Sequence, residues 1–178
     1  PAQQRALLDL AELDADLART RHDLANLPQD AELTRIDTDL QTAHDDVSAA
    51  EKAIADLQTE YDRSDAELTG MTTHLERDQR AIDSGALDHK VIAEMQHEVA
   101  GLTRRREVLE SDLLEIMERQ EATDAELQRA RDKVESLTAQ RTDTEVQREN
   151  TATELSGKVE DLEERRGAVA GDLPTDLV

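Results

Sequence analysis

The chain has 178 residues, enough for about one domain, yet it contains no Phe, no Trp and a single Tyr. Charged residues make up 36%, and the apolar share is carried almost wholly by Leu, Ala, Val and Ile. That is the composition of long helices and coiled coils rather than of a compact core. A net charge of -22 opposes contact with nucleic-acid phosphates or anionic lipid. The absence of Cys removes disulfides, thiol nucleophiles and cysteine zinc sites together. No stretch reaches the length of a membrane span, and the opening PAQQRALLDL has neither signal-peptide nor transit-peptide character, so a cytoplasmic location is expected.

Three places interrupt the helical pattern: Leu27-Pro28, Asp83-Ser84-Gly85-Ala86, and Gly167 to Pro174. They divide the chain into an N-terminal helix over 1–27, an ascending helix over 28–82, a turn over 83–88, a descending helix over 89–166 and an exit segment over 167–178. The expected fold is all-α, a long antiparallel coiled-coil hairpin broken at Pro28 and turned at Gly85. The first helix should pack on the end of the last.

The ascending helix carries Leu33, Leu40, Val47, Ile54, Tyr61, Leu68, Leu75 and Ile82 at heptad spacing. Three residues behind each of the first seven run Ile36, Ala43, Ala50, Leu57, Ser64, Met71 and Asp78, so the two series fill the a and d positions of a left-handed coiled coil. The descending helix repeats the pattern, with Ile92, Val99, Arg106, Leu113, Gln120, Leu127 and Val134 beside Met95, Leu102, Leu109, Ile116, Thr123, Ala130 and Leu137. Facing residues of an antiparallel pair have position numbers of constant sum. With the centre on Gly85, Leu75 faces Met95, Leu68 faces Leu102, Leu57 faces Leu113 and Ile54 faces Ile116. Below Pro28 the matching shifts by two residues, giving Leu10 with Leu162, Leu13 with Val159 and Leu17 with Leu155.

At 1.5 Å per residue each arm would extend roughly 120 Å. Gln120 and Thr123, expected opposite Ala50 and Val47, and Arg141, Thr144, Arg148 and Thr151, expected opposite the Pro28 region, should be the softest stretches of the seam. The rival topology is a single unbroken helix paired in parallel with a second chain. Whether hairpins dimerise is not legible, so both a monomer and a dimer stay open.

Nothing in the chain resembles a catalytic constellation. Its carboxylates lie on solvated helix faces without the sheltered pocket that acid-base chemistry needs. No two of His22, His44, His74, His89 and His97 share the spacing of a helical metal pair, and His97-Glu98 lacks the second His of a zincin motif. Met71, Met95 and Met117 fall on or beside the seam and are expected in the core. The chain is read as non-enzymatic, with no catalytic residue, no metal ligand and no cofactor of its own.

One region departs from the general acidity. Between His74 and Arg106 six acids balance six bases, so the excess negative charge belongs to the remainder. Arg77, Arg80, Leu87, His89, Lys90, Arg104, Arg105 and Arg106 form the candidate contact surface for a protein partner at the hairpin end. The alternative is ordinary salt bridging around a solvated turn. RNA is disfavoured at this surface because aromatic stacking platforms are absent.

The segment GALDHKVIAEMQHEVAGLTRRREVLESDLLEIMERQE, the opening LLDLAELDADLARTRHDLANLP and the terminal GDLPTDLV resemble a bacterial family in which a long coiled-coil hairpin precedes a small zinc ribbon. In that family two Cys-x-x-Cys pairs beyond the hairpin hold the metal. None is present here, so no ligand carries over, and zinc is implied only for a module outside this chain. The family includes a regulator of flagellar synthesis that touches RNA and a transcription factor. The resemblance thus implies a regulatory adaptor whose ribbon is the nucleic-acid contact and whose hairpin is a spacer or a protein-docking arm.

Overall fold

In the computed structural model, which describes residues 2–174, three helices account for nearly all of the chain: α1 (Ala2–Ala25), α2 (Pro28–Asp83) and α3 (His89–Gly171). Pro28 occupies the first helical position of α2, where its missing N–H would have had no intrahelical partner. The Asp30 amide donates to the Leu27 carbonyl at 3.0 Å, and the Asn26 side-chain amide donates to the His22 carbonyl at 2.8 Å. These bonds close the end of α1 and the start of α2 around Leu27, which is buried. The chain divides into two compact units, residues 43–133 and residues 1–42 with 134–178.

In the unit 43–133, α2 and α3 run antiparallel and the expected heptad stripe is the buried face. Ala43, Ala50, Leu57 and Leu75 are buried from α2, as are Leu109, Leu113 and Ile116 from α3. The remaining apolar seam positions are half-buried. Burial of each such aliphatic side chain contributes on the order of 1.5 to 3 kcal/mol.

The register differs from the one centred on Gly85. Gln120 donates to the Gln58 side chain at 3.3 Å, Arg119 to Glu60 at 3.3 Å and Arg131 to Glu51 at 2.9 Å. Leu57 shares a groove with Arg119 and Thr123, and Ala50 shares one with Ala130 and Arg129. Leu57 therefore faces Gln120 rather than Leu113, and Ile54 faces Thr123 rather than Ile116. From about residue 46 to 60 on α2 and 119 to 133 on α3 the layers are displaced by about one heptad, about 10 Å along the helix, whereas nearer the turn the cross-helix pairs Arg105–Glu67 and His74–Glu98 stay close to the Gly85-centred register. Gly85, with φ of +69°, is the left-handed residue that terminates α2, and it stands beside the midpoint between the end of α2 at Asp83 and the start of α3 at His89.

In the other unit Arg141 donates to Asp37 at 2.7 Å, Arg148 pairs with Asp30, and Gln29 donates to Thr151 at 3.2 Å. Arg141 thus lies opposite Ile36 and Asp37, not opposite the Pro28 region, whereas Arg148 and Thr151 do lie there. Leu13, Leu17 and Leu162 form one cluster with Val159 and Val169 against it. Arg166 bonds Asp14 and Arg21 bonds Glu163, which places Leu17 beside Leu162 instead of Leu155, again one heptad from the expected pairing. Thr20, buried in this seam, satisfies its hydroxyl on the Asp16 carbonyl at 2.8 Å.

The descending helix does not stop at residue 166. Gly167 costs helix propensity, but Val169 packs on the Leu13–Leu17–Leu162 cluster and draws α3 on to Gly171. Leu173 is buried just beyond. Thr175 to Val178, the end of the expected exit segment, lie outside the described residues.

Two measurements check this arrangement. Cysteines at Leu57 and Gln120 should be joined within one chain by a short bifunctional thiol reagent, whereas cysteines at Leu57 and Leu113 should not; the opposite pattern would restore the Gly85-centred register. The second concerns pH. The guanidinium of Arg166, by donating to Asp14, holds that carboxyl below its ordinary value. A carboxyl depressed in the folded state stabilises fully above its unfolded value and loses that contribution as pH falls through the folded value. Protection of the α1 amides from hydrogen exchange, taken relative to their intrinsic rates at each pH, should therefore fall on acidification in that window, and Arg166→Gln should remove that part of the pH dependence.

Candidate functional site

The turn is built by backbone and hydroxyl bonds. The Ser84 amide donates to the Arg80 carbonyl at 3.1 Å, the Ser84 hydroxyl donates to the Ala81 carbonyl at 2.7 Å, and the Ala86 amide donates to Ser84 Oγ at 3.4 Å. The Ile92 amide donates to the Asp88 carbonyl at 3.0 Å, which makes Asp88 the N-cap of α3, a residue type favoured there.

The predicted contact residues do not form one patch. His89 and Lys90 are exposed at the start of α3, and Arg77 and Arg80 are exposed on the last turns of α2. Leu87, expected to be exposed, is half-buried. Arg104, Arg105 and Arg106 lie about 20 Å or more along α3 from His89, so they flank the hairpin rather than crown it. Arg104 is exposed, and Arg105 pairs with Glu67 across the hairpin at 3.2 Å. Arg106 is a seam residue. Its Nε is buried and makes no hydrogen bond, although Glu110 lies 3.4 Å away.

A cluster that the sequence reading did not assemble lies between these groups. His74 Nε2 is 2.9 Å from Asp78 Oδ2 and 3.5 Å from Glu98 Oε1. Asp78 occupies a seam position and its side chain is only 7% exposed; its other oxygen receives Arg77 at 3.5 Å. The signal was available as His74 and Asp78 at i, i+4 on one face of α2. A search for histidine pairs alone passes over it, and Glu98 comes from the other helix.

Met117, expected in the core, is 46% exposed, beside Leu114 at 61%. Their positions follow the seam residues Leu113 and Ile116 by one, which turns them toward solvent. The grooves along the seam are open and shallow, lined by helix-surface side chains such as Glu126, Arg129 and Lys133. Among the described residues no helix is long and apolar enough to cross a membrane.

Fold and site together define a two-helix coiled-coil hairpin with an additional N-terminal helix. The chain belongs to the CT398-like coiled-coil hairpin domain family, whose match covers residues 10–178. It is 39% identical over 125 residues to Uncharacterized protein Rv2229c of Mycobacterium tuberculosis, covering 70% of this chain and 51% of that protein. It is 31% identical over 110 residues to Uncharacterized protein ML1638 of Mycobacterium leprae, covering 62% and 47%. A solved structure from Mycobacterium smegmatis matches 98% of this chain and 72% of that one, with a TM-score of 0.71 and 31% identity. The chain spans about half the length of the curated relatives it matches.

The seam position of Arg106 has a measurable consequence. Its buried Nε meets Glu110 at 3.4 Å without forming a hydrogen bond, a poor compensation for burial, and a leucine at this seam position would bury apolar surface in its place. Arg106→Leu should therefore raise the melting temperature by several degrees, as followed by circular dichroism at 222 nm.

Proposed function

We propose that the chain is a non-enzymatic interaction module, an adaptor that meets a protein partner at the hairpin end. The observation that carries this reading is charge placement. In a chain of net charge -22, the stretch from His74 to Arg106 is balanced, and its exposed cations, Arg77, Arg80 and Lys90 near the turn and Arg104 on the flank, stand without the acid excess found elsewhere. Such a surface favours an acidic protein face, which the rest of the chain would repel. The open grooves of the hairpin support a non-catalytic role, since none of those described offers the dry, enclosed site that shifts a pKa. In the longer relatives the hairpin would then act as the arm of a larger regulatory protein of cytoplasmic location. The four-cysteine zinc ribbon implied by the family resemblance would lie outside this chain as its nucleic-acid contact.

A second reading, a structural spacer, draws on a different observation. Arg105 and Arg106 are already engaged by Glu67 and Glu110, and Leu87 is partly covered, so three of the eight residues of the expected surface are used internally. The two readings separate in one comparison. Replacing Arg80, Lys90 and Arg104 with Glu should abolish co-purification of a partner from the native host while leaving the helical melting curve within about 2 °C, because surface substitutions of this kind are close to neutral. Equal recovery of the same partner by wild type and variant would leave only the spacer.

A further inference from the structure

Asp78 is a carboxylate at a core position of a coiled coil, and its burial calls for more compensation than its neighbours supply. Arg77 reaches it only at 3.5 Å and is itself 70% exposed. His74 Nε2 approaches it at 2.9 Å, but the same nitrogen also faces Glu98 at 3.5 Å. A neutral imidazole has one proton to offer and two anions compete for it through a single atom. Two carboxylates and one imidazole nitrogen from two helices, all within 4.8 Å of one another, make a donor set short of positive charge.

From this geometry we infer that His74, Asp78 and Glu98 form a binding site for one divalent transition-metal ion, with zinc the best match, which clips α2 to α3 below the turn. The inference is independent of the adaptor reading and of any module outside the chain. Zinc takes nitrogen and oxygen ligands at about 2.0 to 2.2 Å, so tetrahedral ligand atoms stand about 3.4 Å apart. The His74–Glu98 separation already meets that spacing, and the His74–Asp78 separation needs to open by about half an ångström, within the reach of a side-chain rotation. His74 and Asp78, one helical turn apart, chelate from one side; Glu98 closes from the other; water would take the fourth position. The imidazole favours zinc and its transition-metal neighbours over magnesium and calcium, which prefer oxygen alone. Arg77 would remain on Asp78 Oδ1 and orient the carboxylate so that Oδ2 points at the ion.

The test uses the whole chain, stripped with a chelator and titrated with zinc by calorimetry, in parallel with melting curves. The expected result is one zinc per chain, with an apparent dissociation constant on the order of micromolar, and a rise of several degrees in melting temperature. His74→Ala and Glu98→Gln, both at part-exposed positions that the fold does not depend on, should each weaken binding by about tenfold or more. His97→Ala, beside the site but not in it, should leave binding unchanged. Asp78→Asn should weaken zinc binding while preserving the helix content. Absence of saturable binding would overturn the assignment. So would equal affinity in the His74 and Glu98 variants, or an equal rise in melting temperature with magnesium, which would reduce the effect to screening of the chain's negative charge.

Discussion

Burial of a stripe two residues wide is the constraint on which the rest of this structure depends. Each helix turns one apolar residue pair per heptad toward its partner and everything else toward water, so the seam is nearly all the hydrophobic surface there is to bury. With no Phe or Trp to enlarge any layer, stabilisation comes from many small increments from Leu, Ile, Val and Ala. A layer given to a polar residue subtracts directly from that sum. Ile36 and Ala43, almost fully enclosed, and Arg106, half in water, are the two extremes of the same position type.

That constraint explains what the sequence makes legible and what it does not. Seam membership is set by period, and every predicted seam residue from Leu33 to Leu137 is at least half-buried. The breaks at Pro28 and Gly85 follow from backbone chemistry that is local to each residue, and both stand where they were expected. Register is another matter. A heptad pattern slid by seven residues reproduces itself, so period alone cannot choose between Leu57 opposite Leu113 and Leu57 opposite Gln120. Matching apolar to apolar favours the first. The structure takes the second, with Gln58 bonded to Gln120, Glu60 to Arg119 and Glu51 to Arg131 along the flanks. Such exposed pairs are individually weak, yet they suffice as tie-breakers among registers that bury similar apolar area.

The end of α3 shows the same principle acting on a boundary. Gly167 reads as a stop when only local propensity is weighed. Val169 has a cluster to join, formed by Leu13, Leu17 and Leu162 from α1 and α3. Propensity differences of about 1 kcal/mol yield to such packing, and no reading of the α3 sequence by itself contains the α1 residues that decide the matter.

The candidate site was less legible than the fold because its parts come from two helices and acquire meaning only together. Arg77, Arg80, Lys90 and Arg104 were visible as cations in an acidic chain, and they are exposed. Asp78 was visible only as a polar residue that interrupts a core series, a feature that reads as a weak layer. Its meaning depends on which residue faces it. The Gly85-centred register sets the aliphatic Ile92 opposite it, while the structure gathers His74, one turn below on α2, and Glu98 of α3 around the carboxylate. Burying a charge is expensive unless it is paired, and the seam offers cheaper residues at every other layer. A buried acid that gathers a histidine and a second acid around one point is therefore a feature that hydrophobic stabilisation of the hairpin does not require, and it draws its physical sense from something positively charged at that point.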